Sequence, residues 1–239
     1  MKRGKLIVIE GTDGSGKNTQ AKLLKERLLR EKIPTEMFSF PMYDTPTGRV
    51  VGQSYLGKPT NIYNWKGDTG WFPDPDKLDP MVSSLYFAGD RLFNSPEIEI
   101  ALSEKEVVLL DRYAEANFGH QGGKIKDPRK REKFVRKLHN LEYNILGIPQ
   151  PDAVLFQHMP LKVSVELRNR REGKTGEKAD GHESNMQHLR NAEEAYLQIA
   201  DLFNWIKVSC APDGTIKSLR TPEDIHEEVY RIVMEKLKI

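Results

Sequence analysis

Cysteine is almost missing from this chain. Cys210 is the only one in 239 residues, which excludes an internal disulfide and points to a reducing, cytoplasmic setting. Long hydrophobic runs are missing too. No stretch of about 18 apolar residues occurs, and Met1-Lys2-Arg3 leads directly into a strand-like run, so neither a signal peptide nor a membrane span is expected. An excess of one charge is also lacking. With 37 basic and 35 acidic residues the net charge is +2, which offers no footprint for duplex nucleic acid or an anionic membrane surface. Repeats and low-complexity tails are absent. The length suits a single α/β domain that buries its own core.

What is present is concentrated near the start. The apolar run Leu6-Ile7-Val8-Ile9 is followed by Glu10-Gly11-Thr12-Asp13-Gly14-Ser15-Gly16-Lys17-Asn18-Thr19-Gln20, and then by leucines at helical spacing, Leu23, Leu24, Leu28. Strand, glycine-rich turn and helix form the context of a phosphate-binding loop. Gly11, Gly14 and Gly16 let the chain curl so that backbone N–H groups point at a polyphosphate. The helix adds its unpaired N-terminal amides and positive dipole end. Lys17 supplies a full charge for the outer phosphates. The Gly-x4-Gly-Lys spacing favours this over a βα turn that binds nothing. One departure stands out: a Ser or Thr hydroxyl usually follows the lysine and ligates Mg²⁺, and here Asn18 follows, with Thr19 one step later. An amide oxygen is also a hard ligand, so ligation by Asn18 stays open.

Further along, residues 33–40 read as a turn and a short strand, and Thr47 is the expected cap of a helix over 48–56. Residues 57–79 are rich in Gly, Pro, Asn and Asp and contain Trp65 and Trp71; they read as a surface insertion, either packed locally or forming a lip over a site. Asp79-Pro80 opens a helix. Val107-Val108-Leu109-Leu110 is a buried parallel strand ending in Asp111-Arg112, the place where an open α/β sheet binds ligands and where an acid partners nucleotide-bound Mg²⁺. Residues 115–124 are mixed, and 129–146 are helical, with Phe134, Leu138, Leu141 and Ile145 on one face. Residues 151–156 form a fourth strand and 206–209 a fifth. Between them, 168–178 cluster Arg168, Arg170 and Arg171 with two glycines, which reads as a mobile basic flap rather than a rigid element. Thr221-Pro222 starts the last helix. The expected fold is a doubly wound, five-stranded parallel sheet flanked by helices, of the P-loop NTPase type. A nucleotide triphosphate at the first turn leaves a kinase, a hydrolytic switch or a non-catalytic binding module. The base-reading Asn-Lys-x-Asp of a GTPase switch is not found. A transferase needs a cover against water and cations for a second anion; the flap suits the first need, and Arg49, Arg91 and Arg112 suit the second.

Five motifs in order carry a resemblance to the thymidylate kinase family: the loop with Asp13; Phe40-Pro41-x-Tyr43; Asp79-Pro80 with Phe87-Ala88-Gly89-Asp90-Arg91; Asp111-Arg112-Tyr113 with Asn117; and Asp180-x-His182-Glu183. The resemblance spans about 5–236, with a surface insertion at 58–78, a further one at 211–220 and a basic LID at about 168–183. It implies ATP- and Mg²⁺-dependent phosphorylation of dTMP, a step toward dTTP, by a cytoplasmic homodimer. Within it, Phe87 stacks on the thymine and Arg91 meets its O4 edge, consistent with two residues four apart on one helix face. Asn117 helps read the base. Arg112 clamps the acceptor phosphate, with Tyr43 or Arg49 as helpers. Asp13 and Asp111 manage Mg²⁺ and the sugar 3′-hydroxyl, and Glu183 is a weaker candidate there. His120 stands where the family usually has Tyr or Phe to exclude a ribose 2′-hydroxyl, and Ala116 where it often has Ser. Gly14 stands where one subclass keeps an Arg. The resemblance is to the other subclass, which holds its catalytic cations in the LID, here Arg170 and Arg171 with Arg168. The alternatives are a kinase for dUMP or dCMP, and a P-loop regulator without transfer activity.

Overall fold

A computed structural model describes residues 3–57, 71–72, 75, 77–175 and 186–237, with the side chains of 171–175 and 237 outside that description. Five strands, β1 (Lys5–Gly11), β2 (Thr35–Ser39), β3 (Val107–Asp111), β4 (Ala153–His158) and β5 (Ile206–Ser209), form one parallel sheet in the order β2-β3-β1-β4-β5. The helices are α1 (Lys17–Arg30), α2 (Pro46–Ser54), α3 (Pro80–Glu104), α4 (Ala114–Gly123), α5 (Pro128–His139), α6 (Leu161–Thr175), α7 (Met186–Leu202) and α8 (Pro222–Leu237). Alternate strand residues point to opposite faces, and both faces are covered. Leu6, Val8, Val108, Leu110 and Phe156 pack beneath α3, α4, α5 and α7. Ile7, Ile9, Leu109, Leu155 and Val208 pack beneath α1, α6 and α8. Near-continuous apolar strands are the signature of such a two-sided sheet, which is why the strands were legible. Among the described residues no helix is long and apolar enough to cross a membrane.

This topology fixes where a site forms. β1 lies between β3 and β4, with Ile9 opposite Asp111 and Gly11 opposite Gln157. The ends of β1 and β3 therefore open together at the carboxyl edge of the sheet, beside the β1–α1 turn.

Several elements differ from the sequence reading. The cap of α2 is Thr45, not Thr47: its Oγ1 accepts from the Gly48 amide and the helix begins at Pro46. Thr47 is turned instead to Asp90 (2.9 Å). Residues 114–123 are a regular helix, because the glycines that make its sequence look mixed allow α7 to approach; a Cβ on Gly119 would sit 2.2 Å from the Tyr196 ring. The expected helix over 129–146 breaks into α5 and one π-helical turn, Asn140–Ile145. That turn moves the buried face by part of a turn, leaving Ile145 67% exposed while Glu142 and Tyr143 go inside. The basic segment is not a flap from its start: α6 continues through Thr175. The rest of the LID, with Asp180, His182 and Glu183, lies outside the described residues. So does most of the insertion (58–70, 73, 74 and 76), but its far end is docked: the Phe72 ring meets Tyr55 and Tyr86 edge-on.

Candidate active site

The β1–α1 turn has the geometry of an anion cradle. Gly14 and Gly16 take φ of 80° and 78°, left-handed values that are costly for any residue with a Cβ. Gly16 occupies the cap position of α1 without a side-chain cap, so the first amides of the helix are available to an anion. Gly11 lies against the Gln157 backbone, and Ser15 is buried. Thr12 ties the loop to the end of β4, its hydroxyl donating to Met159 O (2.8 Å) and accepting from Met159 N (2.9 Å). Asn18 and Thr19 are exposed at the mouth.

Charged groups converge on this turn. Lys17 is buried, its Nζ 3.8 Å from Asp13 Oδ1. Arg112 Nη2 donates to the same oxygen at 3.0 Å. Burial pushes Lys17 below the usual lysine range, and the Arg112 charge adds to that against the pull of Asp13, Glu10 and Asp111. Burial alone would raise the Asp13 carboxyl, but His120, Arg112 and Lys17 together hold it well below the usual carboxylate range. Burial opposes the charge on Arg112, and the carboxylates of Glu10, Asp13 and Asp111 outweigh it. Arg112 itself sits at φ 63°, a left-handed conformation uncommon outside glycine and typical of constrained functional positions.

His120 completes the clamp. Its Nε2 lies 3.0 Å from Arg112 Nη1, and a guanidinium only donates, so Nε2 is an unprotonated acceptor and the ring proton is on Nδ1. A neutral ring agrees with burial, which pushes the imidazole down to about 3. The ring stacks on His188 (centroids 5.6 Å apart) and meets Tyr196 edge-on. His120 thus touches the arginine expected on the acceptor phosphate.

Two residues at this edge were not assigned from sequence. Glu10 is fully buried; Oε1 accepts from Gly11 N (2.9 Å) and Tyr196 Oη (3.2 Å), while Oε2 has no partner among the described residues. Burial raises its carboxyl against the pull of Arg112 and Lys17. A lone acid closing an apolar strand was the available signal for Glu10. Tyr196, 186 positions away, had none.

A magnesium ion suits the other side of the turn. Asn18 Nδ2 donates to Asp111 Oδ2 at 2.7 Å, and Asp111 Oδ1 is buried without a partner among the described residues. An orphaned carboxylate oxygen beside an amide is a hard donor pair. Among the described residues no cluster of three or more His, Cys, Asp or Glu side chains forms a cage.

The residues expected around the acceptor base lie on α3 and on α4 beside it. Phe87 meets Tyr55 edge-on, with ring centroids 5.1 Å apart. Arg91 is buried and paired with Glu142. Asn117 donates to Ser84 O at 3.1 Å. Asp90, quoted in the motif but given no role, anchors the loop bearing Tyr43 by accepting from Met42 N (3.0 Å) and Thr47 Oγ1 (2.9 Å). Arg49 is exposed on α2. Arg170 is exposed and paired with Glu166 at 2.7 Å; the side chain of Arg171 is outside the described residues.

One buried acid behind this layer has a measurable consequence. Glu115 Oε1 accepts from Tyr143 Oη at 2.6 Å, Oε2 has no partner among the described residues, and burial pushes the carboxyl up to about 7 from 4.5. A raised pKa means the folded chain holds the proton more tightly, so stability is full below pH 4.5 and is lost as pH rises through 7. Glu115→Gln is therefore expected to gain melting temperature over the wild type on going from pH 5 to pH 8, by the equivalent of up to about 3 kcal/mol. Parallel thermal melts at the two pH values check this; a pH-independent difference would refute it.

Comparison with known proteins gives the same direction. The family model described as thymidylate kinase matches residues 9–64. A probable thymidylate kinase of Pyrococcus abyssi is 27% identical over 244 residues, covering 98% of each chain. The thymidylate kinase of Nitrosospira multiformis is 29% identical over 201 residues, 84% of this chain and 85% of that one. The human thymidylate kinase is 30% identical over 160 residues, 67% of this chain and 63% of its own.

Proposed function

From the premise that this chain belongs to the thymidylate kinase family, we propose that it transfers the γ-phosphoryl group of ATP to the phosphate of dTMP. The observation that carries the reading is the shared oxygen of Asp13. One carboxylate oxygen lies within 4 Å of both Lys17 Nζ and Arg112 Nη2, so a cation of the nucleotide cradle and a cation from the end of β3 meet at one point. Two positive groups held this close by one anion form a site for the charge of a phosphoryl group in transit.

Each residue's part follows from its placement. Lys17 and the amides of the turn and α1 hold the donor phosphates. Arg112, steadied by Asp13 and His120, holds the acceptor phosphate. Asp111 and Asn18 would hold Mg²⁺, which would supply charge neutralisation on the donor phosphates. The acceptor phosphate is largely dianionic at neutral pH, its second pKa being about 6, so no general base is needed and catalysis consists of alignment and charge neutralisation. Phe87 and Asn117 serve the base, and the LID arginines supply further positive charge for the phosphates.

The chain is read as one domain, acting in the cytoplasm as a homodimer. The pairing is supported by α3, which presents Val82, Leu85, Leu92, Phe93 and Ile100 at 41–59% exposure at helical intervals along one side, an apolar stripe unusual for a monomer.

The test is ADP formation from ATP and Mg²⁺ with a panel of acceptors. dTMP is expected to exceed dUMP and dCMP in kcat/KM by at least tenfold, from a species sedimenting at twice the chain mass. Absence of ADP formation with every monophosphate would favour a non-catalytic nucleotide binder, and a dCMP or dUMP preference would reassign the acceptor.

A further inference from the structure

The most heavily buried charged pair in the described structure lies under the proposed acceptor base and has no part in the chemistry above. Arg91 and Glu142 are 2% and 0% exposed. Arg91 Nε donates to Glu142 Oε2 at 3.1 Å, and Nη2 donates to Oε1 in a second, shorter bond. Nη1 donates to Tyr113 O at 3.4 Å, and Asn117 Nδ2 reaches Glu142 Oε1 at 3.4 Å while also donating to Ser84 O. One carboxylate therefore gathers Arg91, read as the donor to the base, and Asn117, read as helping to recognise it.

The chain adopts an unusual conformation to achieve this. Glu142 is turned inward by the π-helical turn Asn140–Ile145, a rare device that recurs at functional sites. The fold alone does not call for the pair, since replacing a buried ion pair by apolar groups is often neutral or stabilising.

The geometry also limits what Arg91 can do. A guanidinium carries five N–H donors in a rigid fork. Glu142 takes the Nε–H and one on Nη2, and Tyr113 O takes one on Nη1. What remains is one N–H on each terminal nitrogen, held in a fixed plane. These N–H groups donate to a carbonyl oxygen, whereas an amino group would face them with like-signed hydrogens.

We propose that Glu142 is a specificity-determining positioning residue, whose buried carboxylate fixes the Arg91 guanidinium so that its remaining N–H groups meet the 4-keto oxygen of a pyrimidine and discriminate against a 4-amino pyrimidine. This rests on the reading of Arg91 as a donor to the acceptor base. Without Glu142 the guanidinium rotates among several orientations, and the cost falls on acceptor binding rather than on phosphoryl transfer.

Glu142→Gln keeps one acceptor oxygen but loses the charge and the two-point grip. It is expected to raise KM for dTMP roughly tenfold, the loss of one charge-assisted hydrogen bond, with kcat falling less than threefold and the dTMP-to-dCMP ratio of kcat/KM falling about tenfold. Glu142→Asp, which keeps the charge but withdraws it by one methylene, is expected to give an intermediate ratio and takes the place of Glu142→Gln should that variant fail to fold. Arg91→Met is the reference. If Arg91→Met loses the preference for dTMP and the folded Glu142 variants keep the wild-type KM and ratio, the positioning role is overturned while base reading stands. If Arg91→Met keeps the preference, base reading fails and this inference fails with it. A structural brace alone would lower the melting temperature without moving the ratio.

Discussion

Lys17→Ala is expected to lower kcat/KM by roughly three orders of magnitude while leaving the chain folded and no less stable. The loss of activity follows from position: Lys17 is the buried ammonium at the base of the anion cradle, the place proposed for the donor phosphates. The retained stability follows from the same burial. Desolvation, the largest influence on Lys17, works against its charge, and Arg112 adds repulsion. Removing the ammonium relieves both, at the cost of leaving Asp13 to Arg112 alone. A site assembled for a polyanion is costly when empty, and variants that neutralise it commonly exchange activity for stability. Coupled-assay kinetics with both substrates varied, alongside thermal melts, check the prediction, and the KM for ATP should rise more than that for dTMP. Activity within tenfold of wild type in a folded variant would remove Lys17 from the transfer step.

The contrast between what was and was not legible in the sequence follows from the range of the interactions. Residues 6–20 could be read because a short apolar run, three glycines and a lysine act on their neighbours in the chain. Asp111-Arg112 could be read because an apolar strand marks its own end. Asp79 capping α3 and Thr221 bonded to the Asp224 amide are likewise local. Glu142 could not be read, since its burial depends on a π turn that shifts the face of an otherwise regular helical pattern, and its partner lies 51 residues away. Glu10 with Tyr196, and Asp90 with the loop at 42–47, are separations of the same kind. The misplaced cap is instructive: Thr45 and Thr47 are both good caps, and the choice was made by Asp90, 43 positions beyond Thr47. His120 was expected at the sugar, and its bond to Arg112 turns on a tautomer that no pattern of residues encodes.

Arg112→Ala tests the other half of the site. It is expected to lower kcat/KM by roughly three orders of magnitude, with KM rising for dTMP and little changed for ATP, the mirror image of Lys17→Ala. Arg112 is held at three points: its backbone N donates to Ile9 O at 3.2 Å, Nη2 to Asp13 and Nη1 to His120. Its left-handed backbone opposes the fold by about 1 kcal/mol, so Arg112→Gly relieves strain that Arg112→Ala retains. The glycine variant should melt higher than the alanine variant and be equally inactive, which separates loss of the guanidinium from damage to the turn. Arg112→Lys should recover little, because a single ammonium cannot meet Asp13 and His120 in a fixed plane and still present a fork to a phosphate. Substantial rescue by lysine would mean that only net charge is needed there, and the acceptor clamp would have to be sought among Arg49 and the LID arginines.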